Sequence, residues 1–296
     1  MNLEQLIYRR FSDDDSLKKL LAKYHGKPAV FASFPPDVEM DWGGESQYPR
    51  LVFNYDLQAD GERKSAGTLS VTQLCQNTEN AGAVRPEQIE LIIKECLRDV
   101  LLKAGEGTLY AFAWARTDGF DMTDGGNRML TGCDIRFDIL EYTSQETTDP
   151  DPVMAINKYV KELYPESIVI GLDRMEEITV ASAEKPVVYC SLTTLTKSEE
   201  TNMVAWMDGV IAVHILCPET ERRVKMASAI ANRMSLDGEI IMLDKSPMYI
   251  NRLQADFKSD YLKDGQIFVT GHYGLLRYRA KPHKITRAGT SIENRR

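Results

Sequence analysis

Gly67-Thr-Leu-Ser-Val-Thr-Gln-Leu-Cys75 and Gly209-Val-Ile-Ala-Val-His-Ile-Leu-Cys217 carry Gly, Val, Leu and Cys at identical spacing, with Leu69 standing where Ile211 stands. Each stretch has the length and apolar content of a strand, and each is followed by an amphipathic helix and then by further strands. A short element repeated inside a repeated order of elements predicts tandem duplication of one small domain. The expected fold class is α+β: two tandem copies of a small domain, each with a mixed or antiparallel sheet packed against an amphipathic helix.

Working outward, the first copy opens with Leu3, Leu6, Ile7 and Phe11 at helical spacing, pauses at Ser12-Asp13-Asp14-Asp15, and resumes with Leu17, Leu20, Leu21 and Tyr24. The aspartates suit a helix N-cap and first turn, where negative charge meets the helix dipole, better than a metal site. Strands are expected at 29–34, 50–55 and 68–73. A central helix is expected from Pro86 through Ile89, Ile92, Ile93, Cys96, Leu97, Val100 and Leu101, ending near Gly105. Two more strands, 108–115 and 133–142, flank a polar loop from Arg116 to Leu130.

Residues 143–152 have linker composition, Thr-Ser-Gln-Glu-Thr-Thr-Asp-Pro-Asp-Pro, and mark the boundary. The second copy repeats the order: a helix at 153–164, strands at 168–170 and 186–192, the strand from Gly209, a helix at 219–234, and closing strands at 248–256 and 266–276. The expected domains are 1–146, 147–279 and a basic tail, 280–296.

At 296 residues the chain has room for two domains, each with its own core. Hydrophobic residues at 43% and charged residues at 27% are those of a soluble globular protein, and no apolar run has the length of a membrane span. The first ten residues lack a signal-peptide core, so work in the cytosol, away from membranes, is expected. Cys75, Cys96, Cys133, Cys190 and Cys217 are widely spaced and set in apolar patterns, which predicts reduced core thiols.

Charge is unevenly divided. Residues 1–150 hold 16 Lys or Arg against 25 Asp or Glu, a net of −9, while residues 151–296 hold 20 against 19, a net of +1. The chain ends in a basic stretch with Arg277, Arg279, Lys281, Lys284, Arg287, Arg295 and Arg296 against Glu293 alone. It reads either as a solvated terminus or as an arm that reaches an acidic surface on a neighbouring subunit.

No catalytic motif appears. The four histidines, His25, His214, His272 and His283, lie in different elements, and there is no phosphate-binding glycine loop or nucleophile elbow. Asp118, Asp121 and Asp124 sit near Gly125-Gly126 but are spaced by three, and the twelfth position from Asp118 is Met129, so the stretch is not an EF-hand. An exposed acidic hairpin loop is expected, with a looser divalent site as the other reading. Trp42, in a loop, suits a protein contact or a core position equally. Neither metal nor cofactor is expected, and an acidic chain with basic residues only at its end does not read as a nucleic-acid binder.

The order helix, three strands, amphipathic helix, two strands with a long hairpin loop resembles the phage tail terminator, or tail completion, proteins. The resemblance is carried by the opening helix from Leu3 to Tyr24, the strand 67–75 with helix 86–102, and their partners 209–217 and 219–234. It implies a non-enzymatic virion protein that forms a ring on the tail tube and joins it to the head-side neck, made in the bacterial host cytoplasm. The implied partners are other copies of the chain, the tail tube protein, and the tail sheath and head-tail connector proteins, with DNA passing through unbound.

Two copies in one chain depart from the family pattern: either six chains form a ring with an outer layer of domains, or three chains form a pseudo-sixfold ring. The divergence in charge favours six. Asp118, Asp121 and Asp124 are the candidate channel-facing residues. Other neck, connector or baseplate roles, and a metal-dependent enzyme using residues 118–127, are the alternatives.

Overall fold

The computed structural model describes residues 1–36, 42, 46–58, 65–77, 84–105, 107–124, 128–143 and 148–277. Its first helix, α1 (Leu3–Ser12), starts where the Asn2 side chain accepts from Gln5 N–H and the Gln5 side chain returns to Asn2 N–H. Asp14 caps α2 (Asp15–Leu20) by accepting from the N–H groups of Ser16 and Leu17, so the acidic triplet is a helix start. A two-residue hairpin follows, β1 (Lys23–Tyr24) and β2 (Lys27–Pro28), then β3 (Val30–Ala32), β4 (Arg50–Leu57) and β5 (Gly67–Gln76). The half continues with α3 (Pro86–Leu97), β6 (Val100–Ala104), β7 (Thr108–Thr123) and β8 (Met129–Tyr142).

The second half runs α4 (Pro152–Leu163), β9 (Ile168–Val169), β10 (Ile178–Val180), β11 (Val187–Glu200), β12 (Val204–Leu216), α5 (Thr220–Asp237), β13 (Glu239–Ile241), β14 (Pro247–Ala255) and β15 (Ile267–Leu276). The fold is mixed α and β, mostly sheet, in two curled sheets. The first sheet has the order β10-β6-β7-β8-β5-β4-β3 and the second β13-β14-β15-β12-β11-β9. Leaving β10 aside, the orders correspond strand for strand. Each begins with a short strand parallel to its neighbour, β3 on β4 and β9 on β11, and all other pairs are antiparallel.

Each sheet shares a core with two helices. Leu6, Ile7 and Phe11 of α1 and Ile89, Ile93 and Leu97 of α3 are buried with Phe53, Val71, Ile135 and Phe137. Ile156 and Val160 of α4 and Met226, Ile230 and Met234 of α5 are buried with Val188, Ile211, Val213 and Val269. A third cluster belongs to both halves: Leu101, Leu109, Ala111, Leu140 and Tyr142 from the first, Ile170, Met175, Ala181, Val187, Tyr189, Leu216 and Leu262 from the second. Thus the halves also share a core, and β10, from the second, pairs with β6 of the first through Ile178 to Leu102, Thr179 to Leu101 and Val180 to Val100.

That shared core explains a difference from the sequence reading. The helix expected to continue through Val100 and Leu101 toward Gly105 stops at Leu97, where Arg98 turns extended and Asp99 adopts φ +52°. Val100-Leu101-Leu102 then forms a strand buried on both faces, Val100 and Leu102 in the first core and Leu101 in the shared one. A strand covered on both sides is apolar at every position and matches a helical stripe as well as a strand pattern. In the second half Gly238, at φ +70°, ends α5 without ambiguity.

A second difference concerns the polar loop expected from Arg116 to Leu130. β7 and β8 run on through most of it, pairing as far as Thr123 with Met129, and β8 pairs on its other side with β5 as far as Leu130 with Gln76, so the expected loop is an arm of the sheet with β7 at its edge. Of the expected linker, residues 144–147 lie outside the described residues, and Asp151 caps α4 by accepting from the N–H groups of Val153 and Met154. Trp42 takes its core option: it is buried, packs edge-on against Tyr24 and Phe31 with centroids 5.0 and 5.7 Å away, and donates its indole N–H to Pro36 O at 3.3 Å. All five cysteines are buried free thiols. Burial pushes the thiols of Cys75 and Cys96 up to about 12, which leaves them protonated and unreactive at neutral pH.

Candidate functional site

The acidic residues singled out from sequence do not converge. Asp118 lies on β7, exposed, with Oδ2 3.2 Å from Arg116 Nε, and its strand partner across the arm is Asp134. Asp121 accepts from Thr131 Oγ1 at 2.8 Å. Asp124 is drawn inward: its carboxylate accepts from the backbone N–H of Arg128 at 2.8 Å and from Arg128 Nε at 2.8 Å, and its Oδ2 is 3.5 Å from the Tyr48 hydroxyl. Asp134, beneath the arm, accepts from Ser70 Oγ, Thr72 Oγ1 and Arg136 Nε. Strand alternation sends side chains to opposite faces, and local cations and hydroxyls take the carboxylates one by one. Among the described residues no group of three or more His, Cys, Asp or Glu is placed to hold a metal ion. The arm offers Asp118 and Asp121 to its surroundings and keeps Asp124 for its own turn.

Of the basic tail, Arg277 is described. Its N–H donates to Met203 O at 2.8 Å, and its guanidinium pairs with Glu200, which also pairs with Lys197. Arg277 therefore closes the outer end of the β11–β12 hairpin on its own chain. Arg279, Lys281, Lys284, Arg287, Arg295 and Arg296 lie outside the described residues.

The histidines stay apart in role. His272 Nδ1 is 2.7 Å from Asp208 Oδ1 across the β12–β15 pair, and its ring stacks on Trp206 at 5.0 Å between centroids. His214 is buried, with Nδ1 2.9 Å from the carbonyl oxygen of Tyr261, beside the rings of Tyr142 and Tyr189. Burial lowers its pKa from the ordinary imidazole value, so the ring is neutral at neutral pH and its Nδ1–H donates. His283 lies outside the described residues.

What the sequence reading did not single out is the seam between the halves, where the polar groups do converge. The Asp99 side chain is fully buried and accepts at Oδ1 from the Tyr261 hydroxyl at 2.9 Å, while its Oδ2 lies 3.8 Å from Arg98 Nε. Arg223 stacks its guanidinium 3.9 Å from the centre of the Tyr261 ring, and Arg98 donates from Nη2 to Pro218 O at 3.0 Å. Desolvation raises the Asp99 pKa, and the Tyr261 hydrogen bond and the charges of Arg223 and Arg98 oppose that rise. Lys263 reaches Asp138 at 2.5 Å, and the Tyr142 hydroxyl donates to Leu262 O at 2.7 Å. A cleft of about 260 Å³ opens here between Trp114, Lys94 and Tyr261. Asp99, Arg98, Asp138 and Tyr142 of the first half each meet a group of the second, so the arrangement clamps the halves in one register.

The sequence carried one faint signal of this seam: Asp99, a charge inside an apolar run that reads as helix. Nothing in the local pattern around Tyr261 or β10 pairs them with it. Compared with protein-family models, curated proteins and solved structures, the chain matches none.

Proposed function

We propose that this chain is a non-enzymatic structural protein of a phage-like particle, a tail terminator or tail completion protein made of two tandem copies of one domain, which assembles as a ring. In this reading the ring caps the tail tube, stops its growth and presents a surface to the head-side neck, with sheath and connector proteins as further neighbours. The observation that carries it is the shared strand order of the two sheets. In each, a helix precedes the first strand and another joins the third strand to the fourth. The repeated Gly-to-Cys stretches fall on the corresponding strands β5 and β12, with Cys75 inside β5, Cys217 one residue past the end of β12, and both buried. Duplication of one domain accounts for both facts with a single event, and amphipathic α3 and α5 take the same place in each copy.

The seam supports a ring because it joins unlike surfaces. The first half contributes β6, β7 and β8, and the second contributes the β9–β11 connection and the end of β12. Head-to-tail contacts of this kind close into rings when the rotation allows. Between six chains and three, the seam supports three, since two halves already meet within the chain as successive members of a ring would.

The acidic first half suits a channel wall past which DNA slides, because carboxylates repel phosphate. Asp118 and Asp121 are the residues free to take that part. The test is to add the purified protein to polymerising tail tube protein and measure tube length with particle mass. Tubes of limited length capped by a ring are expected. Tubes that grow unchecked, with no protein at their ends, would sink the reading.

A further inference from the structure

We infer that the cavity between the end of α4 and the connection that carries β10 is a binding site for a small phosphorylated molecule. The inference goes beyond the ring reading and does not depend on a phage role. After β9 the chain crosses to the first sheet as β10 and returns to β11 at Val187. Between this excursion and the end of α4 lies a space of about 370 Å³, lined among others by Lys161, Ser167, Asp173, Arg174, Thr179 and Lys185. That volume falls in the range of about 300–1,000 Å³ usual for small-molecule sites.

The walls are held in place by the chain itself. Lys161 Nζ donates to Ser167 O at 2.6 Å and to Asp173 Oδ2 at 2.9 Å, and the same carboxylate oxygen accepts from Val169 N–H at 2.7 Å. Met175 and Ala181, on either side of β10, are buried in the shared cluster and pin the connection. Burial works to raise the Asp173 carboxyl, but the Val169 N–H, the Lys161 bond and the nearby charge of Lys185 hold it below its ordinary value. Asp173 therefore stays ionised and balances Lys161. A site built this way does not have to be ordered by its ligand.

What remains unmet around the cavity is mainly donor capacity. Among the described residues the side chains of Arg174 and Lys185 make no hydrogen bond or ion pair, and Lys161 uses two of its three N–H groups. Glu166, a further lining acid, is held by Arg222 at 3.2 Å, which leaves Glu176 as the lining carboxylate without a partner. Thr179 is only 6% exposed, and its hydroxyl has no hydrogen-bond partner. It stands opposite Leu101 in the β10–β6 pair, so it faces the side of the sheet on which the second half packs. A buried hydroxyl is costly to leave unpaired.

The chemistry of the occupant follows from these donors. Arg174 and Lys185 come from the connection, Lys161 from α4 and Thr179 from β10, so the donors surround one space from three elements. A tetrahedral oxyanion, with acceptor oxygens in several directions, suits that arrangement better than a flat carboxylate. Pro165 and Ile168 also line the space and give an organic group an apolar wall to rest on.

The experiment titrates the full chain with inorganic phosphate and with glycerol phosphate by calorimetry, with chloride at equal ionic strength as the control. Saturable binding of both phosphates is expected. Arg174→Gln and Lys185→Gln, both at exposed positions, should each weaken it about 5–20-fold, and Glu176→Gln should tighten it about 2–5-fold by removing a repelling charge. Thr179→Val should weaken binding while leaving the melting temperature of the ligand-free chain unchanged or higher, since valine brings no unmet hydroxyl. A threonine that served packing alone would not part those two readouts. Phosphate that binds no better than chloride overturns the inference. So does a Glu176→Gln variant that binds more weakly, or an Arg174→Gln or Thr179→Val variant that binds as the wild type does.

Discussion

The two halves have the same strand order and opposite situations. In the first sheet the strand after the central helix, β6, is covered at its edge by β10 and on its outer face by the second half. In the second sheet its counterpart β13 stands at the margin with Ile241 in solvent. The long hairpins differ as well: the first half extends β7 and β8, whereas the second extends β11 and β12, which correspond to β4 and β5. The same strand order therefore carries different hairpins and a different edge in each half. The lesson is that the edge and the hairpin tips, which the core does not fix, are where two such halves acquire separate tasks.

The sharpest way to break the comparison is to break the seam. Leu101→Asp places a carboxylate in the shared cluster, where Leu101 has no exposed surface, and should cost about 3–5 kcal/mol. Calorimetry of the wild type should show one transition, and the variant should show two as the halves uncouple. An unchanged single transition would mean that the shared cluster does not join them. The equivalent outward change on β13, Ile241→Asp, should leave the transition of the monomer within about 0.5 kcal/mol of wild type, since Ile241 is exposed.

The two matching glycines should behave differently. A Cβ on Gly67 would overlap the carbonyl of Asp56 in the paired strand, which is backbone and has no room to give. A Cβ on Gly209 would meet the tip of Leu192 at 3.2 Å and the Tyr273 ring at 3.5 Å, and Leu192 can turn aside. Gly67→Ala should therefore destabilise by about 1–3 kcal/mol and Gly209→Ala by less than about 1 kcal/mol in chemical denaturation. Equal costs would show that the shared glycine serves the same purpose in both strands.

Protonation probes the seam more gently. The folded-state pKa of His214 is lowered by burial, so between that value and the ordinary value of about 6.5 the unfolded chain binds more protons than the folded one. The stability from a neutral His214 is present above about pH 6.5 and falls away as pH drops through that window. Asp99 has the opposite sign in the acid range: its raised pKa lets the folded chain hold the proton more readily, and that contribution is lost as pH rises through the folded value. His214→Gln should flatten the slope of melting temperature between pH 7 and pH 5.5, whereas Asp99→Asn should alter the slope as pH rises above the ordinary carboxylate value. A wild-type slope that survives His214→Gln would assign the titration elsewhere.

The smallest effects belong to the acidic arm. Asp118→Lys and Asp121→Lys should each change stability by no more than about 0.5 kcal/mol, while Asp124→Ala, which strips Arg128 of two hydrogen bonds, should cost about 1–2 kcal/mol. In reconstituted particles the double Lys change should slow DNA passage if the first half lines the channel, and particles of full infectivity would remove the arm from it.

Part of the fold was legible because local physics wrote it. Asn2, Asp14 and Asp151 announce their helices by supplying the acceptors that free N–H groups need, and Gly238 ends α5 by taking a left-handed φ. The strands from Gly67 and Gly209 are apolar because they lie at the centre of their sheets. The apolar run after Asp99 was not legible as a strand, since burial on both faces erases the alternation that tells strand from helix. The arm at Arg116–Thr123 read as a loop because β7 runs there as an edge strand with most of its side chains exposed, and so has no apolar alternation to show.

By itself, then, the sequence determined the opening helices with the Asp14 cap and the strands from Gly67 and Gly209 with the helices that follow them, since each depends on residues near one another in the chain. Only the tertiary structure decided that β10 crosses to the first sheet, that Asp99 meets Tyr261 and that the first half's acids are parted rather than gathered. Those pairings join residues far apart in the chain, and their energy comes from desolvation and from partners that the local pattern does not name.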